Sequence, residues 1–188
     1  MVCGKWSFSH ICKACQESIL VPTLHKRKIL GHIPVYSFFP YDEIEPLLLT
    51  KHTDVGYYVY THVGRLAFGA FAEEWRYDYP VASVGIDDTV KSGYSHTAIL
   101  NRSLKSSSIT PRYGVLRATN PHKYAGKSFE ERLKNPRSFR YTPFPEEEVI
   151  LVDDIVTTGT TLTEAAETLL AQGKKVILCL TLTDAENR

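Results

Sequence analysis

The sequence predicts an α/β fold, a mostly parallel sheet flanked by helices, and three observations carry that reading. Short apolar runs such as Val35–Phe39, Val81–Val84, Val149–Val152 and the Val176–Leu182 part of Lys175–Thr183 have the length and composition of buried strands. Longer segments between them place apolar residues at helical spacing; Leu162, Ala165, Ala166, Leu169 and Leu170 recur at i, i+3, i+4, i+7 and i+8. Strands alternating with helices build a parallel sheet covered on both faces. At 188 residues and 43% hydrophobic content, the chain suits one domain with a modest appendage.

The elements follow in order. Residues 1–21 read as a small appendage too short to bury a core, and residues 22–188 as the main domain. In the appendage, Cys12 and Cys15 form a C-x₂-C element and Cys3 lies ahead of it, a thiolate set suited to structural Zn²⁺, with His10 as the alternative fourth ligand. A reduced, metal-free tail is the other reading. The basic run His25, Lys26, Arg27, Lys28 is either solvated linker or a phosphate-backbone contact for nucleic acid. Val35–Phe39 is a strand and Ile44–Leu49 a short helix with Pro46 in its first turn. Tyr57–Trp75 is a long amphipathic helix with Val59, Val63, Leu66, Ala67, Ala70 and Phe71 on one face. Val81–Val84 is a strand leading into the loop Gly85, Ile86, Asp87, Asp88. Ser95–Leu104 and Ser128–Leu133 read as helices, and Tyr113–Leu116 and Phe139–Tyr141 as short strands. Gly173 ends the last helix before the strand Lys175–Thr183.

Bulk properties exclude several classes. A net charge of +1 gives no global attraction to nucleic acid, so any such binding needs a local patch. No apolar stretch approaches the ~20 residues of a transmembrane helix. Cys, Lys, Trp and His interrupt any signal-peptide core, so a cytoplasmic protein is expected. Cys179 falls within an apolar run, as a buried strand residue would. Gly126, Lys127 and Ser128 look like the end of a Walker A loop, but Pro121 stands where that loop needs its first glycine.

The most informative stretch is Val149–Thr161. An apolar strand ends in Asp153 and Asp154; Ile155 and Val156 follow, then Thr157, Thr158, Gly159, Thr160 and Thr161 at the start of a helix. A helix N-terminus carries unpaired N–H donors and partial positive charge, and so seats a phosphate. Carboxylates at the carboxyl end of a strand stand where open α/β sheets bind ligands. Helix capping accounts for one such residue, not for two acids and five small loop residues.

This pattern closely resembles the phosphoribosyl-pyrophosphate (PRPP) signature of type I phosphoribosyltransferases and, within them, the ComF family. The resemblance implies a type I phosphoribosyltransferase-like fold with an N-terminal zinc knuckle. Asp153 and Asp154 would hold the ribose hydroxyls, and Thr157, Thr158, Gly159, Thr160 and Thr161 the 5′-phosphate, with Mg²⁺ accompanying PRPP. Gly85, Ile86, Asp87 and Asp88 align with the family's pyrophosphate loop, although Asp87 and Asp88 read equally well as solvated loop acids. Ser92 replaces the arginine of a family element whose glycine and aromatic are kept as Gly93 and Tyr94; Arg117, Thr119, Arg132, Asn135 and Phe139 match further family positions. Transferases acting on 6-oxopurines carry a third acid where this chain has Thr157, which cannot serve as a general base.

ComF proteins imply two functions. One is a role in natural transformation, handling incoming single-stranded DNA on the cytoplasmic side, at the inner face of the membrane and beside other DNA-uptake proteins. There Lys26, Arg27 and Lys28, with tyrosines such as Tyr57, Tyr58 or Tyr60, would track the strand. The other is phosphoribosyl transfer from PRPP to a nitrogen nucleophile, for which the sequence identifies no acceptor. Exchanging Asp153 and Asp154 together for alanine should abolish PRPP binding and leave the fold intact.

Overall fold

A computed structural model of the protein describes residues 7, 10–86, 93–119 and 138–186. In chain order the elements are α1 (Lys13–Ile19), β1 (His25–Ile29), β2 (Ile33–Pro40), α2 (Tyr41–Leu48), a 3₁₀ turn (Leu49–His52) and α3 (Asp54–Gly64). A π turn (Arg65–Gly69) leads into α4 (Ala70–Glu74), then β3 (Val81–Gly85), α5 (His96–Ser103), β4 (Ile109–Arg112), β5 (Leu116–Ala118) and β6 (Phe139–Tyr141). The chain closes with β7 (Glu148–Val156), α6 (Thr160–Ala171) and β8 (Lys175–Asp184).

The apolar runs become the centre of a six-stranded sheet of order β1-β2-β8-β7-β3-β4. Every neighbouring pair is parallel except β1–β2. Val149, Ile150, Leu151 and Val152 are all fully buried, as an interior strand covered on both faces requires. On one face α6 packs Leu162, Ala165, Ala166 and Leu169 against Val149 and Leu151. On the other, α2 to α5 cover Ile150 and Val152 with Ile44, Leu47, Val59, Val63, Phe68 and Leu100. Ile11, Cys15 and Leu20 join this second cluster, so the described part of residues 1–21 packs on the main core.

Strand order places the ligand crevice. From β7 the chain passes through α6 to β8 on one side; from β3 it passes through α5 to β4 on the other. The connections diverge between β3 and β7, leaving a crevice outside their carboxyl ends, the switch point at which open α/β sheets bind ligands. Val152 pairs with Gly85 there, and the Ile86 N–H continues the pairing to Val152 O, so the ends of β3 and β7 lie side by side.

Several elements differ from the sequence reading for local reasons. The basic run is an edge strand, β1, whose exposed lysines suit an edge that must not recruit further strands. The stretch before Tyr113 is β4, which tolerates Pro111 because it pairs only with β3; Tyr113–Leu116 is mostly turn, with Gly114 at φ 65°. Helix α2 begins at Tyr41, which moves Pro46 to the second turn. The π turn adds a residue to the α3–α4 helix and rotates its buried face. Within it Ala67 and Phe68 are buried, and beyond it Ala72 is buried whereas Ala70 is exposed. Leu170 is 41% exposed and lies off the buried stripe of α6. Gly173, at φ 76°, ends α6 as expected. The segment expected to be helical at Ser128–Leu133 and the Gly126–Ser128 loop lie outside the described residues.

Candidate functional site

Strand β7 runs through both acids to Val156, so alternation sends their side chains to opposite faces. Asp154 shares the face of Ile150 and Val152 and is buried, 3% exposed. Its Oδ2 accepts hydrogen bonds from Lys51 Nζ at 3.0 Å and Tyr60 Oη at 3.1 Å, and lies 3.6 Å from His96 Nε2. Burial by itself would raise the pKa of this carboxyl. The charges of Lys51 and His96 and the donated hydrogen bonds outweigh burial and hold it down at about 2. Tyr60, enclosed beside that carboxylate, has its hydroxyl pushed well above the usual range by burial and by Asp154, and it donates to Asp154 and to Leu48 O. A carboxylate tied to three elements is part of the fold. These contacts weigh against the expectation that replacing both acids would leave the fold intact.

Asp153 is half-buried on the α6 face, where its Oδ1 accepts the N–H of Asp154 at 2.8 Å. Of the pair, it is the more accessible carboxylate.

The loop after β7 turns sharply at Gly159, φ 77° and ψ −1°, which is the N-cap of α6. Only glycine adopts this left-handed conformation cheaply, and having no side chain it cannot cap the helix. A Cβ there would also lie 3.1 Å from Arg27 Nη2 and from Ile29 Cγ2. Thr158 and Thr160 bring their hydroxyls together at 2.9 Å over the first turn of α6, of which Thr160 and Thr161 are the opening residues. The Thr157 carbonyl accepts from Arg27 Nη1 at 2.8 Å. Hydroxyls and helix-terminal amides thus share the N-terminus of a twelve-residue helix.

Across the crevice, Gly85 ends β3 and passes close to Thr97; a Cβ on it would sit 3.3 Å from the Thr97 carbonyl. The Ile86 N–H donates to Val152 O at 3.0 Å, which commits that amide to the sheet. Asp87, Asp88, Lys91 and Ser92 lie outside the described residues, as do Arg132 and Asn135. Tyr94 donates to Thr53 O at 3.0 Å. Sequence reasoning missed Lys51, Tyr60 and His96 as partners of Asp154. They converge from the 3₁₀ turn, α3 and α5, and nothing in their spacing relates them to β7.

The basic run is divided by strand alternation. Lys26 and Lys28 are exposed, with Lys26 Nζ 5.2 Å from the Tyr36 ring centroid, whereas Arg27 turns inward. Tyr60 is buried, but Tyr57 and Tyr58 are 41% and 54% exposed. They line a groove of about 580 Å³ with His10, His62, Arg65 and Arg102. Cys12 precedes α1 and Cys15 is buried in its first turn; Cys3 lies outside the described residues, among which no group of three metal-ligating side chains occurs. Cys179 is buried in β8, and burial pushes its thiol far above the usual range. No helix of the described residues is long and apolar enough to cross a membrane.

Residues 140–188 match the family model of the phosphoribosyl transferase domain. No curated protein matches the chain. Among solved structures, the chain is similar to a hypoxanthine phosphoribosyltransferase from Staphylococcus aureus, at 18% identity and TM-score 0.42, over 69% of this chain and 65% of that one. It thus spans just under two thirds of that structure. An orotate phosphoribosyltransferase from Aeropyrum pernix is similar at 14% identity and TM-score 0.39, over 96% and 94% of the two chains. An adenine phosphoribosyltransferase from Saccharomyces cerevisiae follows at 15% identity and TM-score 0.39, over 93% and 90%. Signature and family model meet on one segment: the strand, loop and helix carrying Asp153, Asp154 and Thr157–Thr161 are phosphoribosyltransferase-like.

Proposed function

We propose that this protein binds PRPP at the carboxyl ends of β3 and β7. The observation that carries the reading is the left-handed Gly159 turn, which presents the Thr158 and Thr160 hydroxyls at the N-terminus of α6 directly after the acidic pair. The 5′-phosphate takes the Thr157–Thr161 loop, and Asp153 takes the ribose hydroxyls. Asp154 acts behind the site by fixing the strand end. The pyrophosphate lies toward the Gly85–Asp88 loop. Mg²⁺ suits this arrangement, because it binds through one or two carboxylates plus substrate phosphates while keeping several waters, and Asp153 is the carboxylate within reach. Bound there, it would neutralise the pyrophosphate as it leaves. Transfer of ribose 5-phosphate to a nitrogen nucleophile is the activity such a site supports, with the acceptor still to be found. For Zn²⁺, Cys12 and Cys15 supply two thiolates and no third described ligand groups with them, so a four-ligand site requires Cys3 and a further ligand such as His10.

Asp153→Asn tests the ribose contact. It keeps the side-chain shape and removes the charge, so PRPP affinity measured by calorimetry with Mg²⁺ should fall about ten- to hundredfold, the scale of one or two hydrogen bonds to a charged group, at unchanged melting temperature. Equal affinity in the variant would remove Asp153 from the site.

A second reading, capture of single-stranded DNA as in natural transformation, is favoured by the Tyr57, Tyr58, Arg65 and Arg102 groove. Aromatic faces stack bases and arginines hold phosphates with little sequence preference. Burial and Arg65 lower the pKa of His62, so that wall of the groove is neutral at neutral pH and the arginines supply the charge. The reading predicts oligonucleotide binding that weakens steeply with salt and weakens further in Arg65→Gln with Arg102→Gln. Binding unaffected by that pair of changes would exclude the groove.

A further inference from the structure

We infer that Arg27, from the edge strand β1, is a positioning residue for the phosphate loop. The inference rests on the PRPP reading of that loop. The side chain is largely enclosed, 18% exposed, and its Nη1 meets acceptors from two separate parts of the chain. It donates to Thr157 O at 2.8 Å, to Asp184 Oδ1 at 3.2 Å and Oδ2 at 3.4 Å, and to Glu186 Oε2 at 2.9 Å. Nη2 lies against the Gly159 turn, 3.1 Å from where a Cβ would stand.

Asp184, in turn, is nearly fully buried and oriented; it accepts the Glu186 N–H at 3.0 Å and lies 3.6 Å from His25 Nε2. A buried carboxylate at the end of β8 thus aims a guanidinium at the loop after β7. Two carboxylates compensate the charge of Arg27, so its effect on the loop is geometric. By fixing the Thr157 carbonyl on one side and filling the space behind Gly159 on the other, it holds the turn that points the following amides and hydroxyls outward. All of these acceptors meet the single nitrogen Nη1, while Nη2 fills the space behind Gly159; a lysine ammonium can keep the ion pair with Asp184 but has no second nitrogen to back the turn.

The test compares wild type, Arg27→Lys and Arg27→Ala, read by PRPP calorimetry with Mg²⁺, melting temperature, and amide hydrogen exchange at residues 158–161. Arg27→Lys should keep a melting temperature near wild type, since the ion pair remains. It should nonetheless bind PRPP roughly tenfold more weakly, the scale of one hydrogen bond to a charged group, and exchange those amides faster. Should Arg27→Ala fail to fold, the lysine variant decides alone. Wild-type affinity and wild-type exchange in Arg27→Lys would overturn the inference. If wild type itself binds no PRPP, the proposed function fails, and loop exchange in the lysine variant still decides the role of Arg27.

Discussion

Asp154→Ala should cost about 3–5 kcal/mol of stability, the scale for breaking one side of a buried ion pair. The change removes the carboxylate that Lys51, His96 and the Tyr60 hydroxyl share, and it unties the 3₁₀ turn, α3 and α5 from the end of β7. Asp154→Asn should fall between the two, because it retains an acceptor oxygen but no charge. The pH dependence gives an independent check. The folded-state pKa is depressed to about 2, so this stabilisation is fully present above the ordinary carboxylate range. It is lost as pH falls from about 4 through 2, where the folded protein too becomes protonated. Chemical denaturation from pH 7 to pH 2 should therefore show a steeper acid decline in wild type than in Asp154→Ala. Equal stability of the two proteins at pH 7 would mean that the cluster contributes nothing.

Gly159→Ala should separate ligand binding from folding. A side chain at φ 77° costs roughly 1–2 kcal/mol, and the new Cβ must displace either Arg27 Nη2 or Ile29 Cγ2. The chain can relieve this by flattening the turn, which rotates the Thr158 and Thr160 hydroxyls and the first amides of α6 away from a common point. PRPP affinity should fall about a hundredfold, the loss of two hydrogen bonds to a charged group, while the sheet remains folded. Calorimetry at a temperature where both proteins are folded reads this directly. An alanine variant that binds as well as wild type would place the phosphate elsewhere.

The centre of this structure was legible in the sequence because it is built from local signals. Val149–Val152 announced a buried strand by composition, the Leu162–Leu169 stripe a helix by period, and Gly159 among threonines a turn at a helix start. Local signals fail where long-range pairing decides. His25–Ile29 has too few apolar residues to read as a strand, and it becomes one because β2 offers an open edge. The π turn at Arg65–Gly69 leaves no mark in an apolar pattern of period 3.6, so the face beyond it was assigned one residue out. Asp153 and Asp154 read as an equivalent couple. Alternation along β7 alone divides them, into one half-buried carboxylate on the α6 face and one buried against Lys51 and Tyr60 on the other. The division of Arg27 from Lys26 and Lys28 arises in the same way.

The most direct test of the phosphate seat is a ¹H–¹⁵N correlation spectrum of the protein titrated with PRPP and Mg²⁺. The account predicts that the largest shifts fall on the amides of Thr158, Gly159, Thr160 and Thr161, with Asp153 next. Saturable shifts confined to Tyr57, Arg65 and Arg102, or none at the α6 N-terminus at millimolar ligand, would contradict it.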